Sequence, residues 1–200
     1  MSPLLSNVVL NDLDWWISSQ WETFKTKRKY KIKGNAHQAM KNTNLKPMFI
    51  VRYADDFKIF TSNYKAAERI YHAVKDYLKD HLHLDVSTEK STITNLRKKS
   101  SEFLGFEIRA VKKRNRFVGN SHVSKKKKEI IKNKIREKVA LIRKQPLIEA
   151  LNKYNSYIIG IKNYYKIATH INIDFNTIAY QISRTLYNRL NPIGKYGIPP

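Results

Sequence analysis

Leu5, Val8, Val9, Leu13 and Trp16 recur at the 3.6-residue interval of a helix, and the spacing predicts one over residues 3–18, opened by Ser2-Pro3. From 25 to 46 that rhythm gives way to lysines, asparagines and Gly34 ahead of Pro47, the texture of a basic loop. Two β-rich runs follow at 48–53 and 57–61, bracketing Ala54-Asp55-Asp56, and together they predict a hairpin. Ser62 or Asn63 is placed to cap a helix over 64–81, with Ala67, Ile70, Val74, Tyr77 and Leu78 on one face. Short strand-like pieces come next, near 84–87, 91–96, 103–110 and 115–118. Within the third of these, Gly105 reads as a strand glycine where another backbone approaches.

Beyond Ser121 three helical stripes take over. The first, over 124–145, carries Ile131, Ile135, Val139 and Ile142. The second starts at Pro146, a favourable first helical position, and carries Leu147, Leu151, Tyr154, Ile158, Ile161 and Tyr165. Tyr164 and Tyr165 are in phase with Ile161 and Ala168, and both are expected in the core. The third is opened by Asn172 or Asp174, carries Phe175, Ile178, Ile182, Leu186 and Leu190, and is ended by Pro192, Gly194 and Gly197. The fold class read from this order is α+β: antiparallel hairpins with packed helices over 1–120, then a three-helix bundle over 121–200.

Composition narrows the partner. With 42% hydrophobic and 12% aromatic residues the chain is no disordered tail. Its 39 Lys+Arg against 16 Asp+Glu leave a net charge of +23, which calls for a polyanion. The excess is uneven: residues 25–46 hold eight basic residues and no acid, whereas 47–89 hold six basic and seven acidic. A near-neutral centre is thus flanked by basic runs. With no Cys there is no disulfide framework, thiolate metal site or thiol nucleophile, which fits a reducing compartment. No apolar run approaches the ~18 residues of a spanning helix, and the first residues lack the pattern of a secretory signal. A bacterial cytoplasm or an organellar matrix is the expected location, with no membrane partner.

The candidate chemistry lies between the two β-runs. Adjacent side chains of an extended strand point to opposite faces, so Asp55 and Asp56 can serve one ion only where the backbone turns between them. Two carboxylates held together repel, and a hard cation such as Mg²⁺ relieves the repulsion with oxygen ligands and water. A pair of such ions about 3.5–4 Å apart supports in-line phosphoryl transfer. Asp also favours turns, so an isolated Asp pair reads first as a polar turn. Close bracketing by apolar runs within a basic chain favours the metal-binding reading. Elsewhere, Lys125, Lys126, Lys127 and Lys128 open a helix, where the macrodipole disfavours cations, so phosphate contact accounts for them better than local stabilisation. His81 and His83 flank a helix end and are not expected to hold a metal.

At Tyr53-Ala54-Asp55-Asp56 the chain resembles the reverse transcriptases, most closely the group II intron-encoded type. The likeness extends to Ser2-Pro3-Leu4-Leu5-Ser6-Asn7-Val8-Val9-Leu10 through Leu13-Asp14, to Leu84 through Ser91, to Phe103-Leu104-Gly105-Phe106, and to residues 122–200 with Tyr157, Gly160 and Asn163-Tyr164-Tyr165. The resemblance implies that Asp55 and Asp56 are two of three metal-binding carboxylates in a site completed by two Mg²⁺ ions. It implies nucleotide or primer contact by Tyr53, Ala54 and Lys90, with Lys90 a general acid or electrostatic partner for the pyrophosphate leaving group. Phe103, Leu104 and Gly105 would grip the primer terminus. Lys25, Lys27, Arg28, Lys29, Lys31, Lys33, Lys112, Lys113, Arg114, Arg116 and Lys125 to Lys128 would contact RNA. The implied partners are an intron or template RNA, a primer–template duplex, and dNTP.

One departure qualifies this. In the family a separate upstream strand supplies another metal-binding aspartate and is followed by a Gln-Gly turn, whereas this sequence starts at Met1-Ser2-Pro3, just past that turn. The expectation is a C-terminal portion: a partial palm over 1–120 without fingers or first catalytic strand, and a thumb, or maturase domain X, over 121–200. Such a portion would be inactive by itself and completed by an N-terminal reverse-transcriptase fragment. Asp12 and Asp14 lie on a predicted helix in the wrong motif to substitute for the third carboxylate. The alternative expectation is a non-catalytic RNA-binding maturase that assists intron folding and splicing.

Overall fold

Period-3.6 and period-2 segments alternate along the chain, and the fold follows them. A computed structural model describes residues 3–192; Ser2, Gly194 and Gly197, expected as helix punctuation, lie outside them. The described residues form six helices and two antiparallel sheets, an α+β fold. The chain divides into two compact units, Met1–Ile93 and Thr94–Pro200. That division falls ahead of the change in texture near 119–123, because the strands before it share a core with the helices after it: Val123 is fully buried among them and Phe106 packs alongside. Among the described residues no helix is long and apolar enough to cross a membrane.

In the first unit, α1 (Pro3–Gln20) buries Leu10, Leu13 and Ile17, with Trp21 just beyond its end. Of the expected stripe only Leu13 is fully buried; Leu5 and Val8 are exposed. This helix is apolar on most sides, so periodicity could not single out its inner face. Residues 25–46 are not all loop, since α2 (Lys33–Lys41) forms there and buries Met40. Its N-cap is Ile32, without a side-chain cap, and its first turn has no acid, so the usual start signals are absent. Strands β1 (Met48–Tyr53) and β2 (Asp56–Thr61) pair from Met48↔Thr61 to Tyr53↔Asp56. Helix α3 (Tyr64–Leu82) is capped by the Asn63 side chain, which accepts the Ala66 N–H at 2.9 Å. It buries Ala66, Ile70, Val74 and Leu78, with Ala66 in the place expected for Ala67. Residues 84–87 and 91–96 form no strand; Leu84 and Val86 instead pack on the core from irregular backbone.

The second unit opens with a three-stranded sheet, β3 (Ser101–Phe103), β4 (Phe106–Lys113) and β5 (Arg116–Val123), in that order. The expected 103–110 strand is broken by a two-residue turn at Leu104-Gly105, and the strand expected over 115–118 runs on to Val123. Helices α4 (Lys125–Lys144), α5 (Ile148–Tyr165) and α6 (Ile171–Leu190) follow. Ile131, Ile135, Val139, Tyr165, Ile178 and Ile182 form their core with Val123. Each such side chain contributes about 1.5–3 kcal/mol by leaving water. Helix α5 begins two residues after Pro146, and Leu147 and Leu151 are exposed rather than in the stripe.

Candidate active site

The hairpin tip is a two-residue loop, Ala54-Asp55, closed by the Tyr53↔Asp56 pair. Ala54 sits at φ 54°, a left-handed conformation that a residue with a Cβ adopts at a cost. Arg52 holds it there. One guanidinium nitrogen donates to the Ala54 carbonyl at 2.8 Å and to Asn7 Oδ1 at 2.9 Å. The other nitrogens clamp the Asp14 carboxylate, at 3.0 and 2.9 Å from Nε and 2.6 Å from Nη2. The hydrogen bond to Asp14 is the main cause that raises the Arg52 pKa, against burial. Register puts Met48, Ile50 and Arg52 on the inner face with Phe57, Ile59 and Thr61, and leaves Phe49, Val51 and Tyr53 facing out with Asp56, Lys58 and Phe60.

The two acids at the tip are exposed, Asp55 as a loop residue and Asp56 as the first residue of β2. Burial lowers the pKa of Lys58, while Asp56 on the same face raises it. Beside the tip, Asn7, Asp14, Ile50, Arg52, Tyr53 and Ala54 line a cavity of about 380 Å³. Asp12 and Asp14 are both committed elsewhere: Asp12 accepts the Tyr77 hydroxyl at 2.6 Å, and this bond leads the causes that push the Tyr77 pKa up to about 12. The chemistry of the donor set, two exposed oxygen ligands on an anchored turn, fits a hard cation such as Mg²⁺. Among the described residues no group of three or more His, Asp or Glu comes together for a metal, so the hairpin offers two such ligands. Lys90 lies in an exposed turn over 88–90 of the same unit.

Phe103, Leu104 and Gly105 belong to the second unit. Leu104 and Gly105 both have positive φ, 52° and 81°, and form the tight turn between β3 and β4. A Cβ on Gly105 would stand 2.8 Å from the Tyr165 hydroxyl and 3.1 Å from the Lys127 stem. Side chains crowd the Cα of this glycine, and a second backbone, that of Ser124, approaches its carbonyl as expected. The turn is tied down twice more: Tyr164 donates to the Leu104 carbonyl at 3.0 Å, and the Ser124 N–H donates to the Gly105 carbonyl at 2.8 Å. Tyr165 is core, as expected, but Tyr164 is 53% exposed and lies against Phe106.

Most basic residues expected to contact RNA are exposed: Lys25, Lys27, Arg28, Lys29, Lys31 and Lys33 in the first unit, and Lys112, Lys113, Arg114, Arg116 and Lys125 to Lys127 in the second. Lys128 differs, since it pairs with the buried Asp174. Asp174 also accepts the Val123 N–H at 2.7 Å and contacts His122 Nδ1 at 3.0 Å. Sequence reasoning missed the roles of Arg52, Asn7, Asp14 and Asp174. A signal existed for the first: Arg52 is the one charge in the 48–53 run, and a charge on a core-facing strand position needs a counter-ion.

Comparison with known families bears on the same residues. A family model for the reverse transcriptase (RNA-dependent DNA polymerase) matches residues 1–108, more than half of the chain. No curated protein matches it.

Proposed function

Because the chain belongs to the reverse transcriptase (RNA-dependent DNA polymerase) family, we propose that it is the palm-and-thumb portion of a group II intron-type enzyme that adds deoxynucleotides to a primer on an RNA template. The observation that carries this is the acidic tip: Asp55 and Asp56 stand on a turn whose strained Ala54 is held through Arg52 to Asn7 and Asp14. In this reading Asp55 and Asp56 hold Mg²⁺, which when bound activates the attacking hydroxyl and stabilises the leaving group. Arg52 is a positioning residue that fixes the height and direction of the tip. Lys90 meets the pyrophosphate charge, and Tyr53 and Ala54 border the nucleotide. The Phe103-Leu104-Gly105 turn, braced by Tyr164 and Ser124, grips the primer end. The domain-X helices and the basic runs hold the RNA backbone.

The hairpin brings two carboxylates, and the family resemblance calls for three. The third then comes from outside these 200 residues, and the chain by itself does not polymerise. The test is Mg²⁺-dependent primer extension on an RNA template, by the chain alone, by the chain with an N-terminal reverse-transcriptase fragment, and by both with Asp55→Ala. Extension only in the complemented mixture, lost by at least about a hundredfold with Asp55→Ala, is the expected result. Robust extension by the isolated chain would sink the incomplete-site reading. No extension in any mixture would sink the polymerase reading.

Charge supports a second reading, a non-catalytic maturase that helps an intron RNA fold and splice. Residues 94–200 alone hold 24 basic and 6 acidic residues, an excess that suits an RNA backbone whether or not synthesis follows. Splicing assistance that survives Asp55→Ala supports it.

A further inference from the structure

The β4–β5 hairpin presents a basic surface to which the proposed function gives only a general contact with RNA. From Ile108 to Asn120 it holds five basic residues, Arg109, Lys112, Lys113, Arg114 and Arg116, and no acid. Every residue from Val111 to Phe117 is exposed. Register pairs Lys112 with Phe117 and Ala110 with Gly119, so these four share one face of the ribbon. Phe117 is 44% exposed, with the Arg97 guanidinium carbon 4.3 Å from its ring centroid. Gly119 has no positive φ, and a Cβ added there would meet nothing within 4 Å. A mid-strand glycine costs chain entropy and forgoes packing, and it often marks the close approach of a ligand. Neither the backbone at Gly119 nor any neighbour in this unit requires one.

We infer that this face is a stacking site for an unpaired RNA nucleotide. The base stacks on the Phe117–Arg97 pair and uses the open space above Gly119, while the flanking phosphates meet Lys112 on the same face and Arg114 at the tip; Lys113 and Arg116 pair on the ribbon's other face. Five cations over the two faces and tip of the ribbon, without an acid from Ile108 to Asn120, select a polyanion rather than a protein surface. A solvent-facing aromatic selects a base whose own face is free, as in single strands and loops rather than in a duplex. The inference rests on the proposed function for RNA as the ligand, but its test reads binding and not synthesis, so the two fail separately.

The full chain is titrated, at fixed salt, into a single-stranded RNA carrying 2-aminopurine and into a blunt RNA duplex of the same sequence. Binding of the single strand is expected to quench the 2-aminopurine. Phe117→Ala should abolish the quench and weaken single-strand binding about tenfold, with duplex affinity unchanged and Phe117→Trp restoring both signals. Gly119→Val should hold or raise Tm, because a β-branched residue suits an exposed strand, and yet weaken single-strand binding similarly. Wild-type affinity in both Phe117→Ala and Gly119→Val, or equal losses on single strand and duplex, would overturn the stacking site. A chain that shows the stacking pattern but extends no primer in any complemented mixture overturns the polymerase reading and keeps this one.

Discussion

Asp174, 1% exposed, sits beneath the start of α4, and its charge is fully engaged. Burial alone would raise its pKa, but hydrogen bonds from Lys128, the Val123 N–H and His122, with the Lys128 charge, outweigh it and hold the carboxyl below its ordinary value. A carboxyl with a folded pKa below the unfolded one adds stability that is complete above the unfolded value. That stability disappears as pH falls through the folded value, here below about pH 4. Asp174→Asn should therefore flatten the acid limb of a Tm-against-pH curve. At pH 7 it should cost about 2–3 kcal/mol by urea unfolding, since charged hydrogen bonds are lost. Identical acid limbs in the two proteins would remove Asp174 from the account. This residue was unreadable as a buried anchor, because an acid near a helix start is ordinary and Lys128 lies 46 positions away in sequence. The place of Asp55 and Asp56 at a hairpin tip was readable because its signal is local, two carboxylates between two apolar runs.

Helix α4 begins with four lysines and no acid, against its own dipole. What starts it is Ser124, 2% exposed, whose hydroxyl accepts the Lys127 N–H while its own N–H reaches the Gly105 carbonyl. Ser124→Ala removes the first bond and keeps the second. It should cost about 1–2 kcal/mol, read as a lower urea midpoint at unchanged slope; an unmoved midpoint would show the cap to be idle. Elements of this kind were legible where a period and a boundary signal agreed: α3 with Asn63, α4 with its stripe of three isoleucines and a valine, and the β1–β2 hairpin. Helix α2 was not, because Met40 alone buries it and no cap announces it. The strand-like runs at 84–87 and 91–96 misled, since apolar residues can pack from irregular backbone without a ladder partner. At Leu104-Gly105 the turn was concealed because only its second residue is a glycine, and a leucine holds the other positive φ.

Over the whole molecule most of the positive charge and the acidic hairpin tip fall in different units. Residues 1–93 carry 15 basic and 10 acidic residues, a net +5, and hold the Asp55-Asp56 tip; residues 94–200 carry a net +18. On the proposed function, affinity for RNA is set mainly by counter-ion release at the second unit, and its dependence on salt reports that unit. For a single strand, log K falls by about 0.7 for each phosphate neutralised per unit of log salt. Replacing Lys112, Lys113 and Arg114 by Gln together should lower the slope by about 2, if each meets one phosphate. Asp55→Asn with Asp56→Asn should leave the slope unchanged, because in the proposed function the tip holds a metal and neutralises no phosphate by itself. A slope that shifts with the aspartates and not with the hairpin cations would place the RNA grip in the first unit, on the Lys25–Lys33 run, and would reverse this division of labour.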